Sequence, residues 1–376
     1  MSAIDELQAL ARDLPNRTIE EWKAKGGKVV GFFCSYVPEE ILYAADILPI
    51  RVRATGCQGT ALADVYMSGH SCSFMRSCLQ FTLEGEYDFL DGVVFTNSCD
   101  HVRRTYDTLR EIASARFPFL EFISVPHKTT DQSIAFYGDE LVTFRSKVEM
   151  FSGVTMTDQR LKDAIETYNE SRHLLKKLYA LRQRAAPCLT GAQSISVVLA
   201  ALSTRKDHFN RLLVRMLEET DEAPGITGHR ARLMLSGSGG CEDPRFYQVI
   251  EEQGGLIVTD SLCFGSRYFW EPVQTDGDPI DSLAASYMRR PSCASMGDKV
   301  AERSDYIKQM VRDFGVDGVI YERMRYCDLW GGQILHLRQE LKETGIPLLE
   351  IEREYLLGSV GQLRTRVQAF LEMIEG

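Results

Sequence analysis

The sequence lacks the features that would direct the protein to nucleic acid, to a membrane or out of the cell. Its 376 residues carry a formal net charge of −10, and no block of lysine and arginine interrupts the acidic composition. Nucleic acids and anionic membrane surfaces bind basic patches, so neither is an expected partner. The longest apolar stretches, such as residues 195–202, are far too short to span a bilayer. Because the N-terminal segment is acidic and amphipathic rather than signal-like, we expect a soluble, cytoplasmic protein.

Two groups of cofactor-binding motifs are also missing from the sequence. No two cysteines are separated by two residues, so the spacing of zinc ribbons and thioredoxin-like redox sites does not occur. The glycine-rich stretch at residues 236–240 lacks both the Lys-Ser/Thr of a P-loop and the full GxGxxG of a dinucleotide site. We interpret this stretch as a tight turn.

The chain does contain 10 cysteines, which is many for a cytoplasmic protein. A reducing compartment disfavours structural disulfides, and a buried cysteine can simply be a small core hydrophobe. The position of each cysteine in the fold therefore has to decide between a packing role and a chemical role.

A short pattern that ends in cysteine occurs twice in the chain. Residues 91–100 begin with Asp-Gly, continue through a β-type run and a short turn, and reach Cys99. Residues 317–328 repeat this order and reach Cys327. Continuous apolar runs bounded by turns are typical of buried parallel strands. Each copy is therefore predicted to be a core strand that carries a cysteine at its C-terminal end.

The two halves of the chain follow the same plan of alternating strands and helices. Besides the two Asp-Gly runs, strands are predicted at residues 28–33, 48–52, 119–125, 232–235, 255–260 and 347–352. Four β/α units in each half indicate an α/β protein with two pseudo-symmetric, doubly wound domains, each with a parallel four-stranded sheet. The predicted domains are an N-terminal α/β domain with a helical lead-in (1–156), a helical connector with a long amphipathic helix (157–225), and a C-terminal α/β domain (226–376).

Alignment of the two halves pairs six cysteines that fall at predicted strand ends or in adjacent loops. The pairs are Cys57 with Cys263, Cys72 with Cys293, and Cys99 with Cys327. Ligands of doubly wound sheets bind beyond the C-terminal strand ends. Core cysteines would instead lie inside the strands, so the set favours a shared metal–sulfur site over chance packing.

The other four cysteines carry a weaker signal. Cys34 and Cys241 also follow the first strand of each half, where they could be ligands or lie behind the ligands. Cys78 and Cys188 lie in a predicted helix and in the connector. A structural role is favoured for all four.

Several polar residues near the paired cysteines are candidates for supporting roles. His101 and His127 lie at predicted strand ends and are candidate proton donors near neutral pH, although helix capping or a surface position is the alternative. Arg76, Arg103 and Arg267 are close in sequence to paired cysteines and could donate hydrogen bonds to sulfide. The alternative for these arginines is a solvated helix face.

Four segments of the chain resemble, in order and in spacing, the 2-hydroxyacyl-CoA dehydratase / ATP-dependent (class I) benzoyl-CoA reductase family, which also contains the double-cubane cluster proteins. The segments are GFFCSYVPEEILYAADILPIRV, GTALADVYMSGHSCSFMRSCL, DGVVFTNSCDHVRRTYD and DGVIYERMRYCDLWGG. The resemblance covers nearly the whole chain and implies two flavodoxin-like domains with an iron–sulfur cluster in the crevice between them. Cys72, Cys99 and Cys327 match the three cluster cysteines common to the family.

The remaining three paired cysteines resemble the branch of this family that binds a sulfide-bridged [8Fe–9S] double cubane. This likeness implies such a cofactor, with a single [4Fe–4S] cluster as the alternative. The repeat then predicts one cubane on Cys57, Cys72 and Cys99, and the other on Cys263, Cys293 and Cys327.

The resemblance also implies a function: the catalytic subunit of an ATP-dependent, low-potential reductase of an aromatic acyl-CoA in an anaerobic cytoplasm. A separate ATP-hydrolysing [4Fe–4S] activator would supply the electrons, and a paralogous second subunit or a second copy of the chain would complete a dimer. Three alternatives stay open. They are an (R)-2-hydroxyacyl-CoA dehydratase subunit, which is a lyase, a homodimeric double-cubane protein that reduces small molecules, and a non-catalytic electron-transfer protein.

Overall fold

Two four-stranded parallel sheets form the centre of the protein in a computed structural model that describes residues 1–221, 223–358 and 360–376. The first sheet has the order β2–β1–β3–β4, and the second has the order β6–β5–β7–β8. The strands are β1 (Lys28–Phe32), β2 (Ile47–Arg51), β3 (Gly92–Thr96), β4 (Phe119–Ile123), β5 (Ala231–Gly237), β6 (Gly255–Ser261), β7 (Gly318–Met324) and β8 (Leu348–Arg353). The prediction of two equivalent, doubly wound α/β units is confirmed.

Helices cover both faces of each sheet and connect the halves. The helices are α1 (Ala3–Arg12), α2 (Arg17–Ala24), α3 (Glu39–Ala44), α4 (Ser73–Glu84), α5 (Asp100–Ile112), α6 (Asp131–Ser152), α7 (Asp158–Leu181), α8 (Gly191–Ala201), α9 (Lys206–Asp221), α10 (Pro244–Glu251), α11 (Ser266–Phe269), α12 (Pro279–Arg289), α13 (Val300–Asp313), α14 (Asp328–Glu343) and α15 (Val360–Glu375). Short 3₁₀ segments lie at Ala63–Val65, Ser114–Arg116 and Gly297–Lys299. Among the described helices, none is long and apolar enough to cross a membrane.

At least one strand of each sheet is buried along its whole length. Every residue of β3, with the sequence GVVFT, and every residue of β6 is buried. Parallel strands covered by helices on both faces need continuous apolar runs of this kind rather than alternation. This explains why the Asp-Gly runs could be recognised as strands from the sequence.

The connector helices contact both halves of the protein. Helix α8 packs against α1 of the N-terminal half and α10 of the C-terminal half, while α7 packs against α3 and α9. A buried ion pair fixes the α3–α7 contact, with Arg172 Nη2 at 2.5 Å from Glu40 Oε1. The domain boundaries at residues 156 and 225 stay predictions.

Candidate functional site

A cavity of about 450 Å³ lies between the two halves, and most of its lining segments follow strands. The lining comes from residues 33–36, 97–103, 127, 238–239, 263–264, 267, 290–291, 293, 324 and 327–330, with further contributions from β2, from Cys72 and from α4. Segments after β1, β3, β4, β5, β6 and β7 therefore meet at one place. This is the crevice beyond the strand ends where doubly wound sheets bind their ligands.

Of the residues that the structure describes, six cysteines line this cavity. They are Cys34, Cys72, Cys99, Cys263, Cys293 and Cys327. Five of them belong to the set paired by the repeat. Cys34, for which a packing role was favoured, is the sixth.

The structure does not bring Cys57 to the cavity. Its buried thiol donates a hydrogen bond to the backbone oxygen of Gly59 at 3.0 Å. Cys57 follows β2 at the edge of the first sheet, whereas Cys34 follows β1, which pairs with β3 at the centre. Because neighbouring parallel strands end side by side, Cys34 and Cys99 both lie beyond the C-terminal ends of the two central strands. The place of Cys34 directly after a central strand is the sequence signal that could have identified it.

Three of the lining thiols are held at helix N-termini. Cys72, Cys99 and Cys327 directly precede α4, α5 and α14. Backbone N–H groups in the first turn of each helix face the sulfur of that cysteine and lower the pKa of its thiol. These N–H groups have no partner within the helix and, together with the helix dipole, favour negative charge on sulfur.

Burial nevertheless keeps these three thiols protonated when no metal is bound. It raises the pKa of Cys72 to about 11 and that of Cys99 to about 12, and it raises the pKa of Cys327 as well. The backbone N–H groups of the helices lower the pKa of each thiol but do not cancel the effect of burial. A coordinating metal deprotonates such thiols, because the metal charge replaces the hydration that burial removes.

Two buried arginines bring uncompensated hydrogen-bond donors to the cavity. Arg51 Nη2 lies 3.8 Å from the Sγ of Cys263, while Arg51 Nε has no hydrogen-bond partner. Arg267 donates to the backbone oxygens of Ser261 and Ser292, but its Nη2 is also buried without a partner. A buried donor left unpaired costs about 1–3 kcal/mol. Both guanidinium groups are therefore suited to hydrogen-bond an anionic group in the cavity.

Arg267 changes the acidity of a neighbouring thiol. Burial raises the pKa of Cys293, but the positive charge of Arg267 and hydrogen bonds from Ser295 outweigh burial, so the pKa lies below its ordinary value. Burial also raises the pKa of Cys263, and here the charges of Arg51 and Arg267 only reduce the rise. The cavity thus contains one thiol that ionises readily beside several that do not.

The other two arginines that were candidate hydrogen-bond donors to sulfide are Arg103 and Arg76, and only Arg103 lines the cavity. Arg103 lines the cavity, but its side chain is largely exposed and lies 3.7 Å from Asp100. Arg76 lies outside the lining and forms an ion pair with Asp64 at 2.8 Å. Arg290, which was not predicted, lines the cavity and stacks over the ring of Tyr287 at 3.8 Å.

Both candidate histidines line the cavity, and each is anchored through one ring nitrogen. The Nε2 of His101 lies 3.0 Å from the backbone oxygen of Tyr326, and the Nε2 of His127 lies 3.0 Å from that of Asn97. A carbonyl oxygen only accepts, so these partners assign the proton to Nε2 in both rings. Either ring can then donate a proton from Nδ1 only when it is an imidazolium, and a role as proton donor stays a prediction.

Three kinds of donor surround the cavity. Among the described residues, no group of three or more His, Cys, Asp or Glu side chains is arranged around one ion. Six thiols, three helix N-termini and buried guanidinium groups surround a space of about 450 Å³. Thiolates on the rim of such a space can each bind a different atom of one anionic cluster.

The fold and the cavity define a protein of two doubly wound α/β units with a thiol-lined site between them. The chain belongs to the family described as 2-hydroxyglutaryl-CoA dehydratase, D-component, whose profile matches residues 34–374. The resemblance found in the sequence is therefore confirmed.

Relatives with different activities are similar to the chain at nearly the same level. A benzoyl-CoA reductase subunit from Thauera aromatica is 26% identical over 382 residues, covering 99% of this chain and 98% of the relative. The beta subunit of (R)-2-hydroxyglutaryl-CoA dehydratase of Acidaminococcus fermentans is 25% identical, again over 99% of this chain and 98% of the relative. The alpha subunit of the same dehydratase is 24% identical over 74% of this chain and 59% of its own length.

Proposed function

We propose that the cavity holds an iron–sulfur cluster and that the protein is the catalytic subunit of a low-potential reductase of an aromatic acyl-CoA. The observation that carries the proposal is the meeting of six thiols from both halves in one cavity with two unpaired guanidinium donors. When bound, an iron–sulfur cluster supplies single electrons at low potential. The aromatic walls of the cavity, such as Phe33, Phe74 and Trp330, suit a planar acyl group and exclude water.

The proposed ligands are the six lining cysteines, with Cys34 in the place of Cys57. Three come from each half, although Cys34 and Cys263 do not occupy equivalent positions of the repeat. Six thiolates would suffice for two cubanes with three cysteine ligands each. The cofactor favoured by this set is the [8Fe–9S] double cubane, with a single [4Fe–4S] cluster as the alternative.

The grouping of the ligands follows the two halves of the chain. We assign one cubane to Cys34, Cys72 and Cys99, and the other to Cys263, Cys293 and Cys327.

In this proposal, the residues of the chain bind the cluster, stabilise its negative charge and donate protons to the substrate. The thiolates hold the cluster, while Arg51 and Arg267 donate hydrogen bonds to its sulfides and oppose its negative charge. His101 and His127 lie on the rim, where an imidazolium Nδ1–H can donate to a substrate oxygen or carbon. The expected partners are an ATP-hydrolysing [4Fe–4S] activator and either a paralogous second subunit or a second copy of the chain, in an anaerobic cytoplasm.

A dehydratase subunit is the second candidate, because the dehydratase relative is as similar to the chain as the reductase relative. Such a subunit would use one recycled electron to eliminate water from an (R)-2-hydroxyacyl-CoA. The reductase consumes electrons with every turnover, whereas the dehydratase needs only a starting electron. Electron consumption per product therefore separates the two functions.

The first test is anaerobic analysis of iron and acid-labile sulfide. We expect about eight iron atoms per chain for the double cubane, and about four for a single cluster. Iron well below one atom per chain would contradict the proposal. The loaded protein is then assayed with a reduced activator, ATP, and either benzoyl-CoA or a 2-hydroxyacyl-CoA. Turnover of neither ester would favour a small-molecule reductase or an electron carrier.

A further inference from the structure

The glycine-rich turn at residues 236–240 brings a serine between the cavity and a buried carboxylate. At the end of β5, the chain passes close to the backbone of Glu322 in β7. Gly237 has a φ of +134°, and a Cβ at this position would lie 1.7 Å from the Glu322 carbonyl oxygen. Glycine is therefore required for the approach. It allows the Ser238 N–H to donate to that carbonyl oxygen at 3.0 Å.

The hydroxyl of Ser238 links the cavity to the Glu322 side chain. It donates to Glu322 Oε2 at 3.1 Å and accepts the N–H of Met324 at 2.9 Å. Ser238 lines the cavity, whereas Glu322 is completely buried behind it. A hydroxyl has one donor hydrogen and two acceptor sites. It can therefore accept a proton from one neighbour while it gives its own proton to another.

The charges around Glu322 are only partly balanced. Arg353 Nε lies 3.1 Å from Glu322 Oε1, yet neither atom has a hydrogen-bond partner. The carboxyl of Glu242, the thiols of Cys241 and Cys72 and the phenol of Tyr321 also act on Glu322 or respond to its charge. Two buried carboxyl groups thus compete for the positive charge of Arg353.

This balance leaves both protonation states of Glu322 accessible near neutral pH. Burial raises its pKa to about 7, against the charge of Arg353 and the hydrogen bond from Ser238, which favour the ionised form. A group whose pKa is near the working pH can both hold a proton and release it.

We propose that Glu322 stores a proton for the chemistry in the cavity and that the Ser238 hydroxyl carries it there. When Glu322 is protonated, its O–H donates to the Ser238 oxygen, whose second acceptor site takes the Met324 N–H. The serine O–H must then turn away from Glu322, and it is free to point into the cavity.

The transfer conserves protons. A base in the cavity takes the hydroxyl proton of Ser238, and the carboxyl proton of Glu322 replaces it on the serine oxygen. Glu322 becomes a carboxylate, and Ser238 then donates to it in the arrangement that the structure shows. Water in the cavity returns a proton to Glu322 by the reverse exchange.

The inference rests on the proposed function for the identity of the base, which is a substrate atom that gains electrons. The path itself is testable without turnover, on the anaerobically purified, cluster-loaded protein. Loss of the path would leave the iron content unchanged, so its failure is distinguishable from failure of the cluster proposal.

Infrared difference spectra taken on either side of neutral pH test the storage site. We expect a protonated carboxyl band that disappears as the pH rises and shifts in heavy water. Glu322→Gln should remove this band, whereas the control Glu242→Gln should keep it at a lower titration pH, because the Glu242 carboxylate then no longer raises the pKa of Glu322. No titrating carboxyl band in the wild type, or a band that survives in Glu322→Gln, would overturn the proposal.

The rate of deuterium uptake by that carboxyl group tests the path. After mixing with heavy water, the Ser238→Ala variant should exchange at least about tenfold more slowly than the wild type. Ser238→Thr keeps the hydroxyl and should exchange at the rate of the wild type. Iron content and circular dichroism on the same samples verify that each variant keeps its fold. Exchange in Ser238→Ala at the wild-type rate would show that the proton travels by another route.

Discussion

Arg51, at the end of β2 in the first sheet, donates a long hydrogen bond of 3.8 Å to the Sγ of Cys263, which follows β6 in the second sheet. The same guanidinium lies over the ring of Phe264 at 4.7 Å from its centroid. A cation from one half therefore sets the environment of a thiol from the other. The site consequently depends on the relative position of the two halves.

The first prediction tests whether Cys34 or Cys57 is a ligand of the proposed cluster. In Cys34→Ser, we expect a loss of about half of the iron, because one of the two proposed cubanes loses a ligand. Cys57→Ser is the matched control and should keep the iron of the wild type, since the Cys57 thiol donates a hydrogen bond to the Gly59 oxygen and does not line the cavity. The measurement is iron and acid-labile sulfide per chain under anaerobic conditions. The reverse pattern would restore the ligand set derived from the repeat.

The second prediction concerns the pH at which the cavity thiols react. In protein freed of its cluster by chelation, Cys293 should be alkylated at a lower pH than Cys99, because its pKa is lowered whereas burial raises that of Cys99 to about 12. Peptide mapping by mass spectrometry measures the modified fraction at each pH. Arg267→Met should move the Cys293 reaction to higher pH, and Arg267→Lys, which keeps the charge, should move it less. Equal pH profiles for the two thiols would contradict the assigned role of Arg267.

The third prediction gives the sign of a pH effect on stability. The folded-state pKa of Glu322, about 7, lies above its ordinary value of 4.5, so the native state binds the additional proton between these values. Its contribution to the free energy of unfolding is therefore complete below about pH 4.5 and is lost as the pH rises through about 7, by roughly 3 kcal/mol at most. Glu322→Gln should remove this dependence. Urea unfolding of both proteins at acidic and alkaline pH measures the difference, and parallel curves would refute the prediction.

The fourth prediction compares two neighbouring glycines. Gly237→Ala would place a Cβ 1.7 Å from a backbone oxygen at a φ of +134°, so we expect a loss of about 3 kcal/mol or more in the free energy of unfolding. Gly239→Ala would meet only the Sγ of Cys263 at an ordinary contact distance of 3.5 Å and should cost less than about 1 kcal/mol. Denaturant unfolding of both variants provides the comparison. Similar stabilities would show that the turn can relax without glycine.

Several parts of the candidate site were predictable from sequence because they depend on local patterns. Cys99 and Cys327 end recognisable apolar strands, and a residue at the end of a parallel strand must lie at the ligand-binding edge of the sheet. The same rule would have identified Arg51 and Cys34, which also lie at strand ends. The link between Ser238 and Glu322 joins residues far apart in the chain, and no local pattern predicts it.

The sequence by itself determined the two repeated α/β units, the family and the strand ends at which the candidate site lies, because strand burial and strand–helix order depend on short-range patterns. Only the tertiary structure decided which thiols share the cavity. Pseudo-symmetry treats Cys57 and Cys263 as equivalent, but side-chain position depends on the course of each loop and on what packs against it. The Cys57 thiol donates a hydrogen bond to the backbone oxygen of Gly59, while Cys34 lines the cavity between the sheets. Long-range packing thus decides which cysteines line the cavity, whereas local sequence patterns favoured Cys57 over Cys34.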